Sequence, residues 1–374
     1  MTARRRPGTV TVMSDLTIEL APSASPRSAA ERSALLQDPG FGQVFTDHMV
    51  TASYSPDEGW HGARLSAYEP LVLDPATSVL HYGQAIFEGL KAYSQPDGSV
   101  ALFRPDQNAA RFRRSARRLA MAELPEKLFL DSLHALVRAD RDWVPTRPGE
   151  SLYLRPLMIA TDPFLGVRPS YTYRYLLFAS PAATYFPGGV HPVSVWLSTE
   201  YVRAAPGGTG EAKCAGNYAA SLVAQAQAAD QGCDQVVWLD AIEHRYVEEM
   251  GGMNLYFVRA DGRLVTPELT GTLLPGVTRD SILSLGRDLG LETEERRVST
   301  QEWEEGCADG TITEVFACGT AAVVTPVGEV KHAGGSFPVA DGGSGAVTMK
   351  IREALLGIQQ GTAPDPHGWM VPVG

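Results

Sequence analysis

The stretch Glu211–Tyr218, with the sequence EAKCAGNY, lies past the midpoint of the 374-residue chain and joins a predicted strand to a predicted helix. Its lysine, Lys213, is framed by small residues and follows a glycine-rich loop. Small neighbours allow a bulky planar group to approach the amine, and a buried lysine can form a Schiff base with a carbonyl compound. From this stretch alone, a solvated lysine at a loop–helix junction is the simpler interpretation.

The residues that precede this stretch predict one α+β domain. β-branched and aromatic residues predict strands at Ala63–Val72, Val100–Phe103, Ser151–Ala160 and Tyr171–Ser180. Between them, apolar residues at helical spacing predict two helices, one capped by Asp106 and one from about Glu126 to Asp142.

Proline and glycine are concentrated near residue 187, which predicts a boundary between two domains. Beyond it we expect strands at Val193–Thr199, Gln235–Asp240, Tyr246–Val258 and Thr313–Ala317, and helices near Asn217–Ala229, Arg279–Leu289 and Val347–Gln359. Asp261-Gly262 predicts a hairpin turn, and Gly232 and Gly290 predict helix C-termini. The predicted organisation is a mostly disordered tail (1–38), a small N-terminal α+β domain (39–181), an interdomain loop (182–192) and a large C-terminal domain (193–374).

Composition excludes several classes of function. The chain has 32 Lys and Arg against 43 Asp and Glu, so it lacks the broad basic surface that binding to nucleic acid or anionic membranes requires. No window approaches the ~18 continuous apolar residues of a membrane helix. The four cysteines show no C-x-x-C spacing, which predicts no metal site and a reduced, cytoplasmic protein.

Three further motifs could bind a charged ligand. Glu249 leads into an apolar strand, and if buried it requires a cationic partner, for which a pyridinium nitrogen is one candidate. Thr278 follows a Pro-Gly turn as the predicted N-cap of a helix, where free amides suit a phosphate. Thr320 follows a glycine at a strand end, and Arg111 carries a planar fork that can clamp an anion. Taken singly, each also fits an ordinary turn, cap or solvated helix face.

Taken in order, these elements resemble the branched-chain amino acid aminotransferases, a class IV family of pyridoxal-phosphate enzymes with fold type IV. The resemblance runs from Phe41 to about Pro326 and involves many motifs in the order of the family. They are Phe41-Gly42 with Thr46–Met49, His81–Gly83, Phe87–Lys91, Phe103–Pro105 leading to Asn108 and Arg111, Tyr153–Pro156, Lys213–Tyr218, Glu249–Asn254, Leu274–Arg279 and Gly319–Ala321.

The resemblance implies roles around pyridoxal 5'-phosphate. Lys213 would be the catalytic residue, holding the cofactor as a Schiff base and later carrying the α-proton. Glu249 would pair with the pyridine nitrogen and Tyr218 with the phenolic oxygen. The phosphate would be held by Arg111, Val277, Thr278 and Thr320.

The resemblance also implies a substrate pocket. Its apolar part would consist of Phe41, Phe87, Tyr153 and Tyr185, with Tyr82 contributed across a homodimer interface. The amides of Thr320 and Ala321 would bind the α-carboxylate, and Arg155 the second carboxylate of glutamate. The implied reaction is reversible amino transfer between leucine, isoleucine or valine and 2-oxoglutarate, giving the branched-chain 2-oxo acids and L-glutamate by a ping-pong mechanism.

The implied fold is α+β, with an α/β sandwich-like N-terminal domain and a C-terminal β-pseudobarrel flanked by helices. Another fold-type IV enzyme, such as a D-amino acid aminotransferase or an aminodeoxychorismate lyase, is one alternative, although Tyr153-x-Arg155-Pro156 and Phe87-Glu88-Gly89 favour the branched-chain group. A second alternative is a non-catalytic binding protein with a two-domain cleft, which needs no reactive lysine.

Overall fold

Two nine-stranded sheets form the framework of the molecule, which is a computed structural model that describes residues 16–183 and 190–374. The strands of the first sheet are β1 (Glu19–Leu20), β2 (His48–Ser55), β3 (Gly59–Ala67), β4 (Ala85–Phe87), β5 (Leu90–Ser94), β6 (Val100–Phe103), β7 (Ser151–Ala160) and β8 (Tyr173–Ala182), together with a strand from the end of the chain. They lie in the order β1-β3-β2-β8-β7-β5-β6, and β4 also pairs with β7.

Helices pack on both faces of this sheet. They are α1 (Ala29–Leu35), α2 (Val79–Tyr82), α3 (Pro105–Arg118) and α4 (Glu126–Ala139), followed by a short 3-10 helix at Arg141–Trp143. Val79 of α2 packs on one face of the sheet, whereas α3 and α4 pack on the other. α3 and α4 bury one apolar stripe each, in which Phe112 and Phe129 pack against Tyr175 of β8. This packing gives the N-terminal lobe a core of its own.

A closed six-stranded barrel is the centre of the second sheet. The strands of this half are β9 (Val193–Ser198), β10 (Gln235–Leu239), β11 (Val247–Met250), β12 (Met253–Arg259), β13 (Arg263–Thr266), β14 (Glu292–Glu295), β15 (Ile312–Gly319), β16 (Val323–His332) and β17 (Gly335–Pro338). The barrel runs β9-β10-β11-β12-β15-β16 and closes because β16 pairs with β9. Valine, leucine and phenylalanine side chains fill it. The predicted α+β fold with a helix-flanked β-barrel is confirmed.

Five helices lie in the second half of the described chain, and all but the first of them pack against the barrel strands. A last strand returns to the first sheet. The helices are α5 (Ala215–Ala219), α6 (Leu222–Asp230), α7 (Val277–Asp288), α8 (Thr300–Asp309) and α9 (Ala346–Gln359). Tyr93 of β5 and Phe103 of β6 pack with residues of α7 and α9, so the two lobes share an apolar core. The final strand, β18 (Met370–Pro372), pairs antiparallel with β6.

Two predicted helix caps are wrong. α3 begins at Pro105, with Arg104 as N-cap at φ 47°, so Asp106 lies in the first turn. Proline favours the first helical position because its missing N–H is not needed there, and the helix therefore starts two residues earlier than predicted. α7 likewise begins at Val277 with Gly276 as N-cap, which leaves Thr278 inside the first turn.

Other differences concern boundaries. The predicted strand Tyr246–Val258 is divided into β11 and β12 by a turn at Gly251, where φ is 57°. The predicted helix near Asn217–Ala229 is likewise two helices, α5 and α6. Residues 19–20 and 29–35 form β1 and α1 within the segment expected to be mostly disordered. The strand β18 belongs to the first sheet although it lies in the predicted C-terminal domain, so the domain limits themselves stay a prediction.

Several expectations agree with the structure. Gly232 and Gly290 follow helix ends with φ of 67° and 82°, and Gly262 turns the β12–β13 hairpin with φ 86°. All four cysteines are unpaired. Across residues 16–183 and 190–374, no helix combines the length and the apolar character needed to cross a bilayer.

Candidate active site

Lys213 lies where the two lobes meet. Its backbone N–H donates to Ser115 Oγ on α3 (3.0 Å), and its carbonyl oxygen accepts from the backbone N–H of Phe87 (3.0 Å). Both bonds come from the N-terminal lobe, whereas the chain that follows Lys213 enters α5. The half-buried side chain donates from Nζ to the hydroxyl of Tyr218, five residues further on (2.8 Å).

The loop around Lys213 is held by a buried amide. Asn217 Nδ2 donates to the carbonyl oxygens of Thr209 and Ala212 (2.8 Å each), and its Oδ1 accepts from the Thr209 hydroxyl (2.7 Å). These bonds fix the loop that precedes the lysine to the helix that follows it. The amine therefore has a defined direction in the cleft.

Glu249 of β11 is 2% exposed and has a cationic partner. Its Oε2 lies 3.1 Å from Arg203 Nε, and its Oε1 accepts from the backbone N–H of Leu274 (2.5 Å). Burial raises the pKa of Glu249, while Arg203 opposes that shift, and the charges of Lys213 and Arg111 also act on this carboxylate. A buried carboxylate requires a cationic partner, and in the structure Arg203 is the partner of Glu249.

Arg111 is paired with a carboxylate that is fully buried. Glu88 is 0% exposed and accepts from Arg111 Nε and NH2 (2.8 Å each) and from Asn108 Nδ2 (2.8 Å). Burial would raise the pKa of Glu88, but the charge and hydrogen bonds of Arg111, together with Lys213 and Asn108, outweigh burial and hold that pKa below its usual range. Arg111 NH1 donates to the carbonyl oxygen of Pro275 (3.1 Å), so three of the five N–H donors of the guanidinium are engaged and two remain for an anion.

The start of α7 completes a set of anion donors. The amides of Val277 and Thr278 lie in the first turn and have no intrahelical partner, and Gly276 offers no side chain to accept from them. A Cβ at Gly276 would collide with the side chain of Asn254, so only glycine permits this approach of the turn to β12. Val277, Thr278 and Thr320 line one small cavity together. The structure therefore gathers the four predicted phosphate ligands around the Pro275–Thr278 turn and the β15–β16 turn.

Aromatic rings connect Lys213 to the predicted substrate pocket. Lys213 Nζ lies 5.1 Å from the ring centroid of Phe87, and the Arg155 guanidinium carbon lies 4.9 Å from the same centroid. Arg155 also lies 5.3 Å from the ring of Tyr153, to whose hydroxyl it donates (3.2 Å). Phe41 packs edge-on against Tyr153 at 5.1 Å. Among the described residues Arg155 has no ion-pair partner, and its Nε is buried without an acceptor.

Two predicted pocket residues are not in this group. Tyr82 is 44% exposed, donates to the carbonyl oxygen of Leu165 (2.5 Å) and contacts the rings of His81 and Phe164. Tyr185 lies outside the described residues. The remaining predicted residue, Ala321, lies in the β15–β16 turn next to Thr320.

The cleft geometry agrees with what comparison with known proteins shows. Residues 85–330 match the family model described as amino-transferase class IV. The branched-chain-amino-acid aminotransferase of Mycolicibacterium smegmatis is 62% identical over 93% of this chain and 96% of its own length. The chain belongs to the branched-chain aminotransferases of class IV.

Solved structures of this family share the fold. The branched-chain amino acid aminotransferase of Escherichia coli superposes with a TM-score of 0.72 at 30% identity, over 83% of this chain and 97% of that one. A thermophile relative, the T.th. branched-chain amino acid aminotransferase complexed with N-(5'-phosphopyridoxyl)-L-glutamate, gives a TM-score of 0.71 at 28% identity, over 87% and 98%. The chain is therefore an aminotransferase whose cleft lies between a sandwich-like lobe and a barrel.

Sequence reasoning assigned no role to two residues of this aminotransferase cleft. Glu88 was quoted only as part of a motif, yet it orients Arg111. Arg203 lies between Val202 and Ala204, with no pattern that distinguishes it from a surface arginine, yet it is 9% exposed and neutralises Glu249. The one available signal was indirect, since a carboxylate predicted to be buried requires a cation.

Proposed function

We propose that this aminotransferase reversibly transfers the amino group between leucine, isoleucine or valine and 2-oxoglutarate, with pyridoxal phosphate as cofactor in a ping-pong mechanism. The observation that carries the proposal is the position of Lys213 Nζ. It is bonded to Tyr218 (2.8 Å) and is connected through the Phe87 ring to an arginine that has no carboxylate partner among the described residues. Such a reaction requires an amine to hold the cofactor, an apolar surface for the branched side chain and a cation for the second carboxylate of glutamate.

The residues of the cleft fit the cofactor. Arg111 keeps two N–H donors free, and the start of α7 adds the amides of Val277 and Thr278, so a phosphate dianion finds both charge and directed donors. The glycine at Gly276 is required for the close approach of that turn. When bound, pyridoxal phosphate supplies an aldehyde and a ring that withdraws electrons from the substrate carbon.

Each polar residue then has a distinct task. Lys213 would supply the amine that holds the cofactor, and its free amine would move a proton to or from the substrate Cα. Tyr218, whose hydroxyl accepts from Lys213 Nζ and orients that amine, would donate to the phenolic oxygen of the cofactor. The carboxylate of Glu249, whose charge Arg203 stabilises against burial, would accept a hydrogen bond from the ring nitrogen and favour the protonated form of that nitrogen.

The pocket must accept both an apolar and an acidic side chain. Phe41, Phe87 and Tyr153 provide apolar contact for a branched side chain. Arg155, stacked between two of these rings, would bind the second carboxylate of glutamate, and the amides of Thr320 and Ala321 would bind the α-carboxylate. The glutamate-derived ligand in the thermophile relative supports glutamate as one of the two substrates.

We further propose that two copies of the chain form the active unit. Tyr82 lies apart from the pocket on a surface that also exposes Leu80, Leu165 and Val167, each at 59% or more. An exposed apolar patch of this kind is typical of a protein interface. A cytoplasmic location stays a prediction from the cysteine pattern.

The proposal is tested by a half-reaction survey of the wild type and the Lys213→Ala variant. The purified wild type is loaded with pyridoxal phosphate and mixed with L-leucine, L-glutamate or D-alanine, and cofactor absorbance is followed. We expect L-leucine and L-glutamate, but not D-alanine, to change the absorbance, and borohydride to fix the cofactor to the peptide that contains Lys213.

For Lys213→Ala we expect a loss of turnover of about a thousandfold or more, since proton transfer and cofactor exchange both need the amine. The exposed Lys350 supplies a control, and Lys350→Ala should behave as the wild type. A response to D-alanine with none to L-leucine would favour another class IV enzyme. A wild type that never takes up colour would favour the non-catalytic binding protein.

A further inference from the structure

The hairpin turn between β15 and β16 has an unusual backbone. Gly319 pairs with Val323 across the hairpin, so the loop consists of Thr320, Ala321 and Ala322. Val323 has φ 64°, in the left-handed region that favours glycine and that β-branched residues rarely enter. Such a conformation persists only where the surrounding structure holds it.

Two basic side chains donate to carbonyl oxygens of this turn. Lys91 Nζ donates to the carbonyl oxygen of Ala321 (2.9 Å), and Arg352 NH1 donates to those of Ala322 (3.1 Å) and Val324 (2.9 Å). Lys91 belongs to β5 in the N-terminal lobe, whereas Arg352 belongs to α9 in the C-terminal lobe. The turn is therefore fixed by both lobes.

Lys91 lies beside the anion donors and is bonded to a carbonyl oxygen rather than to a carboxylate. It is 6% exposed and lines the same small cavity as Val277, Thr278 and Thr320. Burial, reinforced by the charge of Arg352, lowers the pKa of Lys91 to about 7. Burying an amine costs free energy, and the hydrogen bond to the carbonyl oxygen of Ala321 offsets part of that cost.

We propose that Lys91 and Arg352 are positioning residues that clamp the Gly319–Val323 turn, so that the amides of Thr320 and Ala321 point at the substrate carboxylate. A peptide group is planar, so fixing a carbonyl oxygen also fixes the plane of the N–H that follows it. Lys91 thus fixes the peptide plane between Ala321 and Ala322, and Arg352 fixes the planes that follow Ala322 and Val324. These planes adjoin Ala321 and lie on both sides of the strained Val323, so holding them restrains the turn conformation in which the amides of Thr320 and Ala321 face the substrate. The inference rests on the proposed function of this turn and assigns to it the two side chains that hold it in shape.

The test uses the loaded enzyme with Lys91→Met, Arg352→Met and the double variant, and with Lys350→Met on the same helix as control. We expect each single variant to raise KM for L-leucine about tenfold, because Lys91→Met removes one hydrogen bond to the turn and Arg352→Met removes two, with kcat changed less than about threefold. Because both side chains hold one turn, the double variant should raise KM by less than the product of the two single effects.

A second readout does not depend on catalysis. Hydrogen–deuterium exchange of the peptide that contains residues 319–325 should be about fivefold faster or more in both Met variants, because each loses a bond that holds the turn closed, and unchanged in Lys350→Met. Lys91→Gln and Arg352→Lys retain a donor and should restore part of the protection, and they replace the Met variants if either fails to fold.

The outcomes separate this inference from the proposed function. Suppose that the wild type transfers no amino group from L-leucine while the Met variants exchange faster. The proposed function would then be wrong, but the role of Lys91 and Arg352 in holding the turn would stand. Wild-type exchange and KM in Lys91→Met would overturn the clamp, as would fully multiplicative effects in the double variant. A collapse of kcat at unchanged KM would also overturn it, because Lys91 would then act on the chemistry.

Discussion

Two buried carboxylates are stabilised in opposite ways. Glu88, beside the cleft, is paired with a guanidinium 23 residues away. Asp240, in the loop after β10, is 5% exposed and accepts from four backbone amides within six residues, those of Ile242, Glu243, Arg245 and Tyr246 (2.8–3.2 Å), whereas the Arg297 guanidinium lies 3.7 Å away, beyond hydrogen-bond distance. Burial alone would raise the pKa of Asp240, but these amides outweigh it and lower the pKa to about 2.

The comparison distinguishes a charged group that only stabilises the fold from one that can also bind a ligand. The amides around Asp240 satisfy that carboxylate, and the local loop is complete without any ligand. Arg111, in contrast, retains two N–H donors after binding Glu88 and Pro275. Pairing across distant elements thus orients a cation toward the cleft, whereas local pairing only shapes a loop.

The largest expected effect comes from removing the distant partner. Glu88→Gln leaves the Arg111 guanidinium buried without a counter-charge, and we expect a loss of about 3–5 kcal/mol in the free energy of unfolding. Urea unfolding followed by tryptophan fluorescence measures this. Glu123→Gln is the matched control, since Glu123 pairs with Arg113 and Arg117 at the surface, and it should cost less than about 1 kcal/mol. Equal costs in the two variants would remove the distinction between cleft and surface pairs.

Removing the local carboxylate should have a smaller effect that does not reach the cleft. Asp240→Asn replaces an oxygen acceptor with an NH2 group that faces backbone donors, and we expect a loss of about 2 kcal/mol in the free energy of unfolding. KM and kcat for L-leucine should stay within about twofold of the wild type, since changes at separate sites act independently. A change in kcat comparable with that of a cleft variant would show that this loop is coupled to the chemistry.

The smallest effect is a change with pH. The folded-state pKa of Asp240 is lowered to about 2, so its stabilising contribution is complete well above its unfolded pKa near 3.8 and is lost as pH falls through 2. The free-energy gap between the wild type and Asp240→Asn should therefore narrow by about 1 kcal/mol between about pH 6 and pH 3. Urea unfolding of both proteins at the two pH values measures the gap. A gap that widens in acid would contradict the assignment of the low pKa to Asp240.

Elements with strong local patterns were predictable. The limits of β6 and β7 agree with the sequence because both strands consist mainly of apolar residues and polar segments flank them. Helix starts were displaced where proline or glycine competed with a better-known cap, as at Asp106 and Thr278. Barrel closure through β9 and β16 joins strands that lie far apart in the chain, so no local pattern contains it.

The candidate site shows the same distinction between contacts that are local in the chain and contacts that are distant. Lys213 and Tyr218 are five residues apart, so a short motif contains the contact between them. Arg203 and Glu249 meet only after the barrel has formed, and Lys91 reaches Ala321 across 230 residues. The resemblance to a family supplied the donors around the proposed anion site, whereas the residues that hold those donors became visible only in three dimensions.

The returning strand β18 changes how the two lobes are connected. Its pairing with β6 is extended on both sides, by Arg104 N–H donating to the carbonyl oxygen of Trp369 (2.8 Å) and Val373 N–H to that of Val100 (2.8 Å). The polypeptide thus passes from lobe to lobe twice, once between β8 and β9 and once before β18. A single proteolytic nick between β8 and β9 would leave two fragments still tethered by this strand, eluting together on a sizing column.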